Sequence, residues 1–358
     1  MTKKFKKTVQ SSTESGTPEN VLNAMMQSMK QASPLYTPSA FWDDLARKHI
    51  KQLDHDGFKN FKRTLNMRYF NWGVFAILRH QFLPIFRRWM SHPSMVPFSA
   101  EFNDYGASPG SKTKSFDPIT ANIYRVYVAM LADFVADSDK LGLLDKLAEP
   151  AIGNPFVIKY RGRYLSQDLC NSVHEFYHST TACDPFKPGF RIAELGAGYG
   201  RLGHVYLSVL PNASYCVIDI PPALYISQRY LTEIFPEEKV FKFREFNSFE
   251  DVRAEFENSR IRFLAAHQIE LLPPNQFDLF INISSLHEMT REQVANYIHY
   301  IDRLCRGSFY TKQWHTSNAT INGYALKESE YPIPANWKEV FHRQHPIQSL
   351  FFEALYLT

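Results

Sequence analysis

Gly196, Gly198 and Gly200 stand in Ile192-Ala-Glu-Leu-Gly-Ala-Gly-Tyr-Gly-Arg-Leu202, where an apolar run gives way to a helical pattern. A glycine turn between a buried strand and a helix lets the backbone approach a ligand and aims the first helical amides at it. The same stretch contains Gly198-Tyr-Gly-Arg-Leu-Gly203, which satisfies the dinucleotide pattern G-x-G-x-x-G. Glu194 weighs against a dinucleotide, because a carboxylate at the end of the strand would repel a pyrophosphate. It suits a ligand that pairs a zwitterionic amino acid with a sulfonium cation, the chemistry of the methyl donor S-adenosylmethionine. A tight turn with no ligand is the plain alternative.

Asp219 follows Gly196 by 23 residues and closes a second apolar strand, the position from which a carboxylate can accept both hydroxyls of a ribose. It precedes Pro221-Pro222 and could cap the next helix while doing so. Ala197 in the turn, Ile220 beside the aspartate and Ser284 at the end of a later strand complete the expected cofactor contacts, with Gln268, next to His267, placed to meet an adenine edge.

His287 lies in Ser284-Ser-Leu-His-Glu-Met-Thr-Arg-Glu-Gln293, where Thr290 and Gln293 form a capping box for the next helix. That puts the imidazole in a short loop at the carboxyl edge of a sheet, where ligands of open α/β sheets bind. An imidazole there can serve as a general base toward an alcohol, with Glu288 orienting it or binding substrate. A solvated loop histidine and a solvated glutamate are the inert readings. Tyr164, Gln313, Trp314 and His315 are candidates for substrate contact, each with a core role as its alternative.

A different chemistry is raised by His174-Glu-Phe-Tyr-His178, a literal H-E-x-x-H on a helical stretch, the zinc-hydrolase pattern. Glu194, its only obvious third ligand, already belongs to the glycine turn, so no metal is expected.

These residues need an α/β sheet to position them. From 151 on, strands and helices alternate: strands at Arg191–Leu195, Ser214–Ile218, Ile261–Ala265, Phe277–Ile283, Ser308–Gln313 and Leu350–Leu357. Helices are expected after the glycine turn, from Pro221 to Phe235, over Arg291–Leu304 and near Trp337–Arg343. This is a Rossmann-like pattern with helices on both faces. A hairpin over Phe156–Leu165 turns at Arg161-Gly162. Residues 21–150 read as a helical module, with Ser94–Pro118 as a loop, and residues 1–20 as a flexible leader.

The 358 residues are 44% hydrophobic with a net charge of +4, enough for two cores and without the basic face that nucleic acid demands. No apolar run of membrane-spanning length and no signal peptide stand out, so a cytoplasmic place is expected. Cys170, Cys183, Cys216 and Cys305 are too scattered for a disulfide framework or a thiolate zinc site.

With these residues assembled, the chain resembles the sugar O-methyltransferase family of class I S-adenosylmethionine-dependent enzymes. The resemblance rests on Glu194–Leu202, Val217-Ile-Asp-Ile-Pro-Pro222, Phe277–Met289 and the aromatic terminal stretch Phe351–Tyr356. It is also similar to small-molecule O-methyltransferases of plant and polyketide pathways. Their Asp-Leu-Pro and His-Asp-Trp motifs match Asp219-Ile-Pro221 and His287-Glu-Met289, with departures at Glu288 and Met289. The resemblance implies a methyltransferase sheet, a hydroxyl acceptor on a sugar or glycosylated small molecule, and a homodimer formed through the helical module. A nicotinamide-dependent oxidoreductase and a non-catalytic binding module on the same fold are the competing readings.

Overall fold

A computed structural model of the protein describes residues 18–38, 40–64, 81–104, 116–317, 323 and 325–358. The expected leader lies largely outside that range, and its last residues belong to a helix, Pro18–Gln31. Helices follow at Ala40–Asp56, Phe82–Ser91 and Pro118–Ala136. Residues 65–80 of the expected helical module lie outside the described residues.

The helix Pro118–Ala136 is capped by Asp117, whose carboxylate accepts from the amides of Ile119 and Thr120 at 3.0 Å. By length and composition it could cross a membrane, which corrects the expectation that no such stretch exists. Its apolar residues Val128, Leu131 and Val135 are fully buried inside the protein, and Asp133 on it is paired with Arg161.

A second correction concerns the expected loop Ser94–Pro118. Strand β1 (Glu101–Asp104) runs antiparallel to β2 (Phe156–Tyr160), which pairs in turn with β3 (Arg163–Leu165). Four residues of mixed polarity carry too little periodicity to announce a strand. The β2–β3 hairpin turns where expected, with Arg161 and Gly162 both at positive φ, the geometry of a two-residue hairpin turn.

The main sheet has eight strands: β4 (Arg191–Leu195), β5 (Ser214–Asp219), β6 (Val240–Phe241), β7 (Ile261–Ala265), β8 (Phe277–Ile283), β9 (Cys305–Trp314), β10 (Lys338–Gln344) and β11 (Phe351–Leu357). Their order is β10-β11-β9-β8-β4-β5-β7-β6. Strands β4 to β9 pair in parallel, and β11 runs against both its neighbours. This is a Rossmann-like sheet with one antiparallel strand inserted beside its edge. The strands at its centre are apolar on both faces, as helices on both sides require: every residue of β7 and β8 is buried.

The segment near Trp337–Arg343, expected to be helical, is instead the edge strand β10, paired with β11 from Lys338↔Leu357 to Gln344↔Phe352. Most of its side chains are exposed, so it lacks the alternating apolar pattern that marks a half-buried strand. Its charges, Lys338, Glu339 and Arg343, suit an edge that must not pair further. Pro221-Pro222 precede the next helix rather than open it, since that helix runs Ala223–Ile234.

After β4 the chain winds outward through β5 to β7, then returns to place β8 on the other side of β4. The carboxyl ends of β4 and β8 therefore part at a topological switch point, where open sheets bind ligands.

Candidate functional site

An open cleft lies at that switch point, where ligands of such sheets bind. It is floored by the ends of β4, β5, β7, β8 and β9 through Glu194, Asp219, Ala266, Ser284 and Lys312. Tyr36, Thr37 and Trp42 from the N-terminal helical region form part of its wall. They are held there by bonds across the molecule: the Tyr36 hydroxyl donates to Glu270 at 2.6 Å, and Gln293 Nε2 donates to the Thr37 carbonyl at 2.9 Å.

The glycine turn takes the form its residues imply. Gly196, Gly198 and Gly200 have φ of 71°, 60° and 85°, which favour glycine. A Cβ on Gly196 would stand 2.4 Å from Ser285 Oγ and 2.6 Å from its Cβ. We expect Gly196→Ala to cost about 1–3 kcal/mol of stability through this collision, with further strain from the positive φ. Chemical denaturation measures it, and a variant as stable as the native protein would mean that the turn is not packed in this way.

Asp219 is buried at the end of β5 and knits the turn together. One oxygen accepts from the Gly198 amide at 2.9 Å and the other from Ile220 at 2.7 Å. Burial pushes its carboxyl up to about 7 against those two bonds. Each oxygen keeps a second lone pair for a ribose hydroxyl. Glu194, also buried and also in the cleft, accepts from the Tyr215 hydroxyl at 2.5 Å, and burial pushes it up to about 7 as well. Two carboxyls poised this way in one cleft call for donors or positive charge from a ligand. Ala197, Gly198, Ile220 and Ser284 line the same cleft, the last at φ 57°. Gly200 does not line it but begins the helix Arg201–Val209, packed against Leu231.

The helix Gln167–Ser179 contributes residues that sequence reasoning missed. Asp168 and Asn171, one turn apart, both face the cleft. Asn171 is buried and its Oδ1 has no hydrogen-bond partner, so it offers an acceptor to a ligand donor. Burial pushes Asp168 up to about 6, partly offset by Arg201 and by the Tyr199 hydroxyl at 2.7 Å. The helix of the H-E-x-x-H pattern thus does serve the site, through Asp168 and Asn171. Its Glu175 is buried between Arg201 and Lys312, which leaves that carboxylate committed to two cations.

Several expected site residues lie elsewhere. Gln268 does not reach the cleft: its Oε1 accepts from the Ala265 amide at 2.9 Å and its Nε2 donates to the Arg244 carbonyl at 2.8 Å, closing the turn after β7. His267 bonds Ser28 at 3.2 Å instead. Tyr164 sits on the outer strand β3, away from the cleft, and His315 is tied to Glu328. Gln313 is wholly buried and braces Asn282 and His287. Of the expected substrate group only Trp314 lines the cleft.

His287 is the main correction. Its ring has no exposed surface and stacks on Trp314 at 4.4 Å, with an interplanar angle of 17°. Its Nδ1 lies 3.0 Å from Gln313 Oε1, and burial pulls its pKa down to about 3. Of the two neighbours, it is Glu288 that lines the cleft, beside Ser285 and Met289 of the same loop. The capping box of Thr290 and Gln293 forms as expected and starts the helix Arg291–Leu304, but a residue count along the loop could not tell which of two neighbours would face inward.

The fold and this cleft define a Rossmann-like α/β protein with an open, carboxyl-bearing cleft at the switch point of its sheet. No family model and no curated protein match the chain. Among solved structures it is similar to an S-adenosylmethionine dependent methyltransferase from Mesorhizobium loti (13% identity, TM-score 0.35, 52% of this chain and 98% of that one). Further neighbours are the N-methyltransferase NodS from Bradyrhizobium japonicum (14%, 0.34, 52% and 94%) and a SAM dependent methyltransferase from Aquifex aeolicus (12%, 0.31, 48% and 84%). At such scores the likeness says nothing about this chain's activity.

Proposed function

We propose that this protein is an S-adenosylmethionine-dependent methyltransferase acting on a hydroxyl of a sugar or a glycosylated small molecule. The reading rests on one observation above others: Glu194 and Asp219, buried carboxyls at the ends of adjacent strands, flank a glycine turn inside one cleft. Glu194 suits the ammonium of an amino acid and Asp219 the two hydroxyls of a ribose, while Asn171 Oδ1 offers a further acceptor. The bound cofactor supplies a methyl group on a sulfonium. The carboxylates disfavour a pyrophosphate at the same place, which sets this reading above a nicotinamide-dependent oxidoreductase.

The acceptor side is polar and aromatic. Trp314 lines the cleft with its indole backed by His287, and Glu288, Lys312 and Gln348 surround it. An aromatic plane with flanking hydrogen-bonding groups suits a sugar ring, whose C–H face packs on the indole while its hydroxyls find partners. A natural product without a sugar remains the second acceptor class.

Thermal-shift measurements with S-adenosylmethionine, S-adenosylhomocysteine and NAD test the cofactor. The first two should stabilise the protein, by about 2.7 kcal/mol at a hundredfold excess over Kd. Stabilisation by NAD alone would overturn the reading. Methyl transfer from labelled donor to a panel of nucleotide sugars, free glycans and glycosylated aglycones then tests the acceptor, and turnover of only sugar-free phenols would replace the sugar.

A further inference from the structure

We propose that the Glu288 carboxyl, and not the His287 imidazole, takes the proton of the methyl acceptor, with His287 as a positioning residue behind it. This rests on the methyl-donor reading above and assigns the acid–base chemistry within that site. The geometry of the loop carries it. Ser285–Met289 wraps over the end of β8 so that Glu288 opens into the cleft with a fifth of its side chain exposed, while His287 is sealed. The sealing is complete: Trp314 covers one face of the ring, and the Phe351 ring meets it edge-on at 6.1 Å. An acceptor in the cleft can touch Glu288 and Trp314 but cannot reach the imidazole without dismantling that stack.

The hydrogen bonds behind the loop give His287 its role. Gln313 Nε2 donates to Asn282 Oδ1 at 2.6 Å, which turns Oε1 toward the histidine. Oε1 lies 3.0 Å from His287 Nδ1, the Trp314 amide meets the same Nδ1 at 3.4 Å, and Nε2 is left on the side of the glutamate. That Nε2 lies 3.7 Å from Glu288 Oε1 and has no hydrogen-bond partner. The imidazole therefore stands directly behind the glutamate and, held by Gln313 and Trp314, backs its carboxyl toward the cleft.

Burial raises the Glu288 carboxyl well above its ordinary value, which favours its protonated form while the cleft holds no bound cation. Positive charge beside it favours the carboxylate, and its proton then leaves to solvent. The carboxylate formed in this way accepts the acceptor's O–H proton as the oxygen bonds to the methyl carbon and the carbon–sulfur bond breaks, leaving a neutral thioether and Glu288 protonated again. Among the described residues, the other titratable groups that face Glu288 are His287, the Tyr331 phenol and, around the cleft, Lys312, Arg201, Asp168, Glu194 and Asp219. Glu194 and Asp219 answer to the ammonium and the ribose, which the methylated donor and its demethylated product share. The two compounds differ at the sulfur alone, in the methyl group and in the positive charge it brings.

Calorimetry near pH 7 in two buffers of different ionisation enthalpy isolates that difference. The native protein should release up to about one proton per site more on binding S-adenosylmethionine than on binding S-adenosylhomocysteine. Glu288→Gln should abolish the excess while still binding both compounds, and His287→Asn, shown to be folded by its binding of S-adenosylhomocysteine, should keep it. An excess that survives Glu288→Gln, one that is lost in His287→Asn, or none in the native protein would each overturn the assignment. Failure of both compounds to bind would overturn the methyl-donor reading, and this inference with it.

Discussion

Glu175→Ala is expected to destabilise the protein by about 3–5 kcal/mol, the loss typical of removing one partner from a buried ion pair. Glu175 has no exposed surface, and its two oxygens hold Arg201, at 2.5 and 3.1 Å, and the ammonium of Lys312. Its removal would leave two cations facing each other under the cleft with no counterion. The replacement of Lys312 and Glu175 together by apolar residues should recover part of the loss, because the uncompensated charge goes too.

The pH dependence follows from the same geometry. Burial alone would raise the Glu175 carboxyl, but Arg201 and Lys312 outweigh it and hold it down from 4.5 to about 2. A depressed carboxylate contributes stability that is complete above its unfolded value and fades as pH falls through the folded one. Between pH 4.5 and 2 the native protein should lose about 3 kcal/mol through this group, and the alanine variant should lack that component. Urea unfolding across this range measures both, and a variant within 1 kcal/mol of native stability would show that the triad holds nothing together.

Asp219→Ala should weaken binding of S-adenosylmethionine by about 1.5–3 kcal/mol, tenfold or more in Kd, the range for hydrogen bonds to a charged group. The two ribose hydroxyls lose their acceptor, and the Gly198 and Ile220 amides lose theirs as well, so the glycine turn slackens. Since burial holds Asp219 near 7, affinity should rise with pH through that value as the carboxylate forms. Glu194 titrates in the same window, so the variant should retain only the part of the pH limb that belongs to Glu194. Calorimetry from pH 5.5 to 8.5 decides, and unchanged affinity in the folded variant would remove Asp219 from the site.

Much of this site could be read from the chain because its parts are local. Glycines needed at positive φ, a strand of apolar residues and a closing aspartate are determined by neighbours a few residues away, so β4, the turn and Asp219 stand where the spacing put them. Strand β8 and the helix Arg291–Leu304 were legible for the same reason, through a strand with five apolar residues in seven and a capping box. Strand β10 was not, because an edge strand exposed on both faces has no apolar rhythm and is specified by its partner β11. Gln268 shows another limit. Glutamine at a strand end can serve a ligand or its own backbone, and here the bonds to Ala265 and Arg244 took it.

The sequence by itself determined the alternating strands and helices around the site, the glycine turn and the places of Glu194 and Asp219 at strand ends, since each follows from backbone preferences and burial over short stretches. Only the tertiary structure decided that Glu288 rather than His287 opens to the cleft, because that depends on Trp314 from β9 stacking on the imidazole from outside the loop. It likewise brought Asp168, Asn171 and Tyr36 to the cleft from helices remote in the chain. Short-range order is written in propensities of adjacent residues. Which polar side chain becomes a ligand contact is settled by which of its neighbours, in three dimensions, has already claimed its hydrogen bonds.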